Sequence, residues 1–475
     1  MKPRSALVAG AGIAGLSAAI HLARAGVAVT VVEASEQCGG RAQGWQSNGF
    51  RFDLGPTLLV MTDVLRRTLG DDAFSSLELQ RLEPGYRVRW PDGQTFANHS
   101  DIALALAEFA RFEPGRAAAA LGYLSTVWEA HVESRARILE RDHSLASLLR
   151  TMLAPGKMRP WMGGNLRRFT SRFFTHPRVI EALTFAPLYL GTSPRIAPAA
   201  YALLPVEEMI GGVWYARGGM SRIVASLVDE AVRNGVEIEM RWPVERIVRS
   251  VDGSIRICSG STAKSADALV VASDREAALS LFDEPVPRQR RVRYGHSACV
   301  WYFGLDRTVD LDHHTVLLPH DPWRAYERLD VGDPPDEPML YVHNPAVTDA
   351  AVAPAGGSAL LVLMPVPNLH AQPNLDESTL RERALDRLEA IAGPIRPHIV
   401  LERRRGPREF ASELGLMHGA AFGPDHTLDQ MGPFRPSIAH PRYPNVVFAG
   451  SGTRPGSGVP MVMISGRLAA ERLLA

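Results

Sequence analysis

Ala6-Leu7-Val8-Ala9 runs without a break into Gly10-Ala11-Gly12-Ile13-Ala14-Gly15-Leu16. The four apolar residues read as a buried strand and the glycines as a tight turn. Residues 16–25 read as a helix with Leu16, Ala19, Ile20 and Leu22 able to face a sheet. Gly26 ends that helix and 27–32 reads as a second strand, completing a βαβ unit. Gly10, Gly12 and Gly15 have the G-x-G-x-x-G spacing. In that pattern the first glycine permits the turn, the second lets a pyrophosphate approach the backbone, and the third lets helix pack close to strand. The phosphates then meet the free N–H groups and positive dipole of the helix start, here around Ile13 and Ala14. Glu33 closes the second strand, at the spacing of a carboxylate that holds a ribose.

A unit of the same style stands at the other end of the chain. Val446-Val447-Phe448-Ala449 runs into Gly450-Ser451-Gly452-Thr453-Arg454-Pro455-Gly456-Ser457-Gly458-Val459-Pro460. One such unit suggests a dinucleotide. Two, separated by almost the whole sequence, suggest one long cofactor gripped at both ends, which favours FAD over NAD. Gly458-Val459-Pro460-Met461 precedes a helix over 462–474 with no acidic residue in its first turns. A helix start aimed at the pyrimidine edge of a flavin stabilises negative charge that develops there on reduction. Pro460 suits a first turn because no N–H is needed there.

Two further segments fit a nucleotide. In Gly39-Gly40-Arg41-Ala42 a guanidinium can form paired charge-assisted bonds to phosphate while the glycines keep the backbone close. Gly55-Pro56-Thr57 and Arg217-Gly218-Gly219-Met220 are turns ahead of helices, each able to set backbone near a flat ring.

Composition narrows the class. A chain of 475 residues is long enough for two or three domains. Its 52 Lys and Arg against 51 Asp and Glu argue against a general electrostatic grip on nucleic acid. Cys38, Cys258 and Cys299 are too few and too scattered for a disulfide framework, which points to a reducing, cytoplasmic setting. The first strand begins too soon after Met1 for a cleaved presequence, and no apolar run reaches the ~18 residues of a spanning helix.

The nucleotide elements recur in three places with other material between them. We therefore expect an α/β fold: a discontinuous Rossmann-like FAD-binding domain at 1–98, 211–275 and 401–475, with an interleaved α+β substrate domain. The latter comprises a helical, membrane-facing region at 99–210 and a mixed sheet at 276–400. A hairpin is expected over 86–90 and 94–96 around Pro91-Asp92-Gly93.

These residues carry a resemblance. The chain resembles the bacterial-type phytoene desaturase family of carotenoid desaturases and related FAD-dependent isoprenoid dehydrogenases. The matching segments are Gly10 to Leu16, Glu33 with Gly39 to Ala42, and Phe50-Arg51-Phe52-Asp53-Leu54-Gly55-Pro56-Thr57. Leu188-Tyr189-Leu190-Gly191-Thr192-Ser193-Pro194, Gly212 to Met220, Val366-Pro367-Asn368-Leu369 and Gly450 to Pro460 also match. The resemblance implies a fold similar to that of the flavin amine oxidases. It implies FAD at the N-terminal turn, Glu33 on ribose, Gly40 and Arg41 near phosphate, and the backbone of Val244 near adenine. Gly450, Gly458, Val459, Pro460 and Met461 would approach the isoalloxazine. Arg454 departs from the family, whose members often have His there.

The implied chemistry is insertion of conjugated double bonds into a C30 or C40 precursor such as phytoene or diapophytoene, with hydride passing to flavin. Quinone or oxygen would take up the electrons. Positioning and exclusion of water can be most of the protein's contribution, and no catalytic residue is assigned. No metal is expected, because His313-His314 are adjacent rather than at a useful helical spacing. Glu207-Glu208 and Asp349 are expected to be solvated or capping. A redox-neutral carotenoid isomerase, a flavin-bound carotenoid carrier and a soluble amine oxidase are the competing readings.

An apolar isoprenoid substrate implies peripheral association with the inner face of the cell membrane. In 157–174, Lys157, Arg159, Arg167, Arg168 and Arg172 alternate with Trp161, Phe169, Phe173 and Phe174, a pattern open to a basic helix lying in the headgroup layer but read first as an apolar core face with a solvated basic face.

Overall fold

The computed structural model describes residues 2–141, 164–284 and 291–475. Its first layer is a five-stranded, wholly parallel sheet. The strand order is Val446–Phe448, Ala268–Val271, Ser5–Ala9, Ala28–Val32 and Glu237–Glu239, so the first strand sits at the centre and the last at an edge. Such a sheet is covered on both faces, and the pleat assigns the side chains. Ala6 and Val8 face a helical layer, whereas Leu7 and Ala9 face a second, antiparallel sheet of Arg246–Arg249, Ile255–Ser259 and Thr262–Ala266.

The helical layer joins the two ends of the chain. Helix Ile13–Arg24 lies against helix Val459–Leu474. A Cβ on Gly466 would overlap the Ala14 carbonyl oxygen, so the glycine sets how closely the helices approach. The Ser17 hydroxyl donates to the Met463 carbonyl at 2.9 Å across the same contact.

A seven-stranded mixed sheet forms the second body. Its order is Ile399–Arg405, Ser297–Leu305, Ser358–Val366, Leu340–His343, His314–Leu317, Tyr86–Arg89 and Thr95–Asn98. The expected hairpin is present, but it extends this sheet rather than the parallel one. It enters through a parallel pairing of Tyr86–Arg89 with His314–Leu317. Side chains alternate here too. Cys299, Trp301 and Phe303 meet helix Glu377–Ala392, whereas Ala298, Val300 and Tyr302 meet the helical region before residue 211.

That helical region decides between the two readings of the basic-aromatic stretch in favour of the core face. The basic-aromatic stretch is not a lipid-facing helix where it is described. Helix Leu166–Thr170 is little more than one turn long, and Leu166, Phe169 and Phe174 are buried in the core. Phe174 stacks on Phe109 at 5.0 Å between ring centroids and meets Tyr123 edge-on at 5.3 Å. Phe173 is half-buried against Tyr123. Burial of the aromatic face against this cluster outweighs any exposure to lipid. Lys157, Arg159 and Trp161 lie outside the described residues. No helix among the described residues is long and apolar enough to cross a membrane.

Candidate cofactor and substrate cavity

One cavity of about 1340 Å³ lies between the parallel sheet, the mixed sheet and the helical region. Its first end is made largely of backbone. Gly10 turns the chain at φ +110°, and its N–H donates to the Val32 carbonyl at 2.8 Å. Gly12 precedes helix Ile13–Arg24, and a Cβ there would meet nothing within 4 Å, so this side of the turn is open to the cavity. Gly15 is different. It does not line the cavity, and its Cβ would overlap the Gly10 carbonyl oxygen, so it is required for the helix to sit on the turn. Ile13 and Ala14 line the wall beside Gly12. The helix has no acidic residue in its first turn and no side-chain cap, so its free N–H groups favour an anion.

Glu33 is held in place by its neighbours. One oxygen accepts from the Ala11 N–H at 2.7 Å and the other from the Ser35 N–H at 3.0 Å. A carboxylate has four lone-pair sites, so capacity remains for hydroxyl donors in the cavity it lines. Val244 lines the same wall beside Trp242, whose N–H donates to the Glu33 carbonyl at 2.8 Å.

Arg41 rises from the Gly40–Ala42 turn. It donates to the Ala421 carbonyl at 3.0 Å and to the Ser451 hydroxyl. No carboxylate pairs with it among the described residues, and burial pulls its pKa below the ordinary value. Arg41 is half-buried, and among the described residues only the more distant Asp274 carboxylate offsets its charge, so a phosphate in contact would stabilise it. Gly55 makes this arrangement possible, because a Cβ there would overlap the Arg41 carbonyl oxygen. Pro56 and Thr57 continue the wall, and the Thr57 hydroxyl hydrogen-bonds that of Tyr341.

The C-terminal segment closes this end. Gly450 turns at φ +118° and donates to the Ser465 hydroxyl at 3.0 Å. Gly458, at φ +109°, starts helix Val459–Leu474, again without an acidic first turn, and Val459, Pro460 and Met461 line the cavity. Two uncapped helix starts from opposite ends of the sequence thus open on one space. Arg435, which the sequence does not single out, holds the loop between them by donating to the carbonyls of Thr453, at 3.1 Å, and Ser451. Glycines that leave open space, an unpaired guanidinium and two acid-free helix starts fit a dinucleotide diphosphate.

The far end is apolar, with Leu188, Leu203, Met339, Leu363, Phe410 and Phe422 on its walls. Into it project Glu207 and Glu208, both buried, which corrects the expectation of a solvated pair. They sit in the run Leu203-Leu204-Pro205-Val206-Glu207-Glu208-Met209-Ile210, and a charged pair inside so apolar a helix was the available signal. Glu207 contacts His131 Nε2 at 2.9 Å, beneath the stacked ring of Trp128. Burial pushes the Glu208 carboxyl up to about 8. The Tyr86 hydroxyl opposes that rise and the Glu207 charge adds to it. Buried His426 also lines the cavity, and burial keeps its imidazole neutral.

Two other candidates lie away from this space. Asp349 caps the turn Ala350–Val352, as expected, and also accepts from the Tyr215 hydroxyl and the Gly218 N–H. The Arg217-Gly218-Gly219-Met220 turn does not line the cavity. Asp53 accepts from the N–H groups of Met220 and Ser221 there, and a Cβ on Gly219 would overlap that carboxylate.

Comparison with known proteins agrees with this geometry. Residues 13–474 match the family described as flavin containing amine oxidoreductase. A zeta-carotene-forming phytoene desaturase of Myxococcus xanthus is 35% identical, covering 99% of this chain and 94% of the relative. A phytoene dehydrogenase of Streptomyces griseus is 34% identical, covering 98% and 94%. Among solved structures, cyclohexylamine oxidase from Brevibacterium oxydans superposes with a TM-score of 0.63 at 18% identity, over 99% of both chains, which shows a shared fold. The chain therefore belongs to the flavin-containing amine oxidoreductases, within them to the phytoene desaturase family, and is an FAD-dependent oxidoreductase of α/β, Rossmann-like architecture.

Proposed function

We propose that the protein is a carotenoid desaturase that inserts conjugated double bonds into a C30 or C40 isoprenoid such as phytoene or diapophytoene. The observation that carries this reading is the single cavity whose one end fits a dinucleotide and whose other end is walled by leucine, methionine and phenylalanine. An extended hydrocarbon held at the second end lies beside whatever ring projects from the first.

Bound FAD supplies the two-electron acceptor for hydride, and the second hydrogen leaves the substrate as a proton. The chain's own residues do the rest. Gly10, Gly12, Ile13, Ala14 and Arg41 hold the diphosphate, Gly15 sets the turn that presents them, and Gly40 and Gly55 allow Arg41 its position. Glu33 holds ribose and Val244 flanks adenine. Pro56, Thr57, Gly450 and the Gly458–Met461 helix start line the cavity where they would hold the flavin ring, the helix start favouring negative charge on it. The apolar walls align the substrate's CH–CH unit and exclude water. Neutral Glu208 keeps charge out of the hydrocarbon path near pH 7. Arg454 lines the cavity, and its polarity bears on which chain ends are accepted if substrate reaches it.

Delivery of the substrate from a membrane surface, and reoxidation by a quinone or oxygen, complete the proposal. The test is co-expression with phytoene or its C30 counterpart, with product mass and absorption as readouts. A desaturase gives products lighter by whole H₂ units with red-shifted spectra. A product of unchanged mass would identify an isomerase. Bound oxidised flavin that stays unbleached by polyene without oxygen would identify a carrier.

A further inference from the structure

We propose that His313, His314 and His343 form a buried three-imidazole site for a divalent transition cation of the zinc class. Strand pairing brings them together. His314 and His343 are register partners on the antiparallel strands His314–Leu317 and Leu340–His343, and His313 folds in from the preceding bend. The three rings lie with centroids 4.6–5.0 Å apart, and one nitrogen from each falls within 4.8 Å of the others.

The nitrogens are already sorted into ligands and supports. His313 Nδ1 bonds the Thr348 hydroxyl at 2.7 Å, which leaves its Nε2 facing His343 Nε2 at 3.1 Å. Adjacent imidazole ligands of a tetrahedral zinc are about 3.3 Å apart, so this pair is nearly set. His314 Nδ1 bonds the Tyr341 hydroxyl at 2.7 Å, and its Nε2 is buried without a hydrogen-bond partner among the described residues. A hydrogen-bonded cluster alone leaves that nitrogen unsatisfied, at the cost of a desolvated polar group, whereas a cation satisfies it. Closing the site takes an inward swing of the His314 ring by about 1.5 Å, given usual zinc–nitrogen distances.

The surroundings fit a cation. Thr348 and Tyr341 supply the outer contacts that orient ligating imidazoles. The Asp349 carboxylate acts on His313 and supplies negative charge. His313 and Thr348 also line a surface depression with Asp310 and Asp312, which gives an entry path. Three nitrogen ligands favour zinc, cobalt, nickel or copper over magnesium or calcium. None of the three histidines lines the flavin cavity, although Tyr341 on its wall joins His314 to Thr57, and the proposal does not depend on the desaturase reading.

The test is equilibrium dialysis of the FAD-loaded protein against Co²⁺, followed by metal analysis and visible difference spectra. About one Co²⁺ per chain is expected, with the intense d–d bands of low coordination, displaced by Zn²⁺. His343→Asn and His313→Asn should lose those bands while retaining FAD. Thr348→Val should bind Co²⁺ about tenfold more weakly, through loss of the outer contact. That variant decides the matter should the histidine variants fail to fold. Wild-type uptake no greater than that of His343→Asn, Thr348→Val affinity equal to wild type, or only the faint bands of octahedral Co²⁺ would overturn the site.

Discussion

The first end of the cavity is made of backbone, whereas its far end is made of side chains. At the first end, Gly10, Gly12, Gly450 and Gly458 present turns and helix starts, and few side chains intervene. At the far end, leucine, methionine and phenylalanine from several distant segments form the wall, and Glu207, Glu208, His131 and His426 are set into it. A backbone surface tolerates little change because a methyl group added at Gly12 or Gly458 clears the protein and enters the cavity instead. A side-chain surface can be re-lined, so the first end specifies a cofactor while the second is free to select among substrates.

The largest expected effect tests the far end's support. Phe174→Ser removes a ring packed between Phe109 and Tyr123 and should destabilise the protein by about 3–5 kcal/mol, read from urea unfolding. An unchanged midpoint would return Phe174 to the surface. Next is a paired test of the backbone end. Gly15→Ala forces a Cβ into the Gly10 carbonyl and should cost about 1–3 kcal/mol together with flavin content. Gly12→Ala meets no protein atom, so it should lose flavin while keeping the stability of the cofactor-free chain. Equal behaviour of the two variants would mean that the turn is not shaped around a ligand. Arg41→Gln should weaken FAD about tenfold or more without loss of fold, measured by flavin fluorescence titration.

The smallest effect concerns charge at the far end. Glu208 keeps its proton in the folded protein up to about pH 8, while an unfolded glutamate releases it near its ordinary 4.5. The folded state therefore binds the extra proton between those values, and stability falls as pH rises through that window, levelling off above it. Glu208→Gln removes this penalty. Its melting temperature should match wild type near pH 4.5 and exceed it by a few degrees at pH 8. A constant difference across that range would mean that Glu208 is not held neutral.

The same contrast explains what could be read from the chain. The Gly10–Gly15 turn and Glu33 were legible because a single βαβ unit contains the spacing that makes them meaningful. The far end was not, because Glu207, His131 and Tyr86 become neighbours only through tertiary packing. The hairpin Tyr86–Asn98 was recognised as a hairpin, but its membership of the mixed sheet rests on a parallel pairing with residues far along the chain. The basic-aromatic stretch left two readings open for a related reason. Periodicity identifies an apolar face, but not whether protein or lipid covers it.

Helix Val459–Leu474 and strand Val446–Phe448 complete a layer begun by Ser5–Ala9. During synthesis the opening βαβ unit must wait for Ala268–Val271 to cover the free flank of its first strand, and for residues beyond 446 to cover the packing surface around Ala14 and Ala18. Flavin capture therefore follows emergence of the Val446–Phe448 strand and the helix after it, and until then the nascent chain carries an uncovered apolar surface.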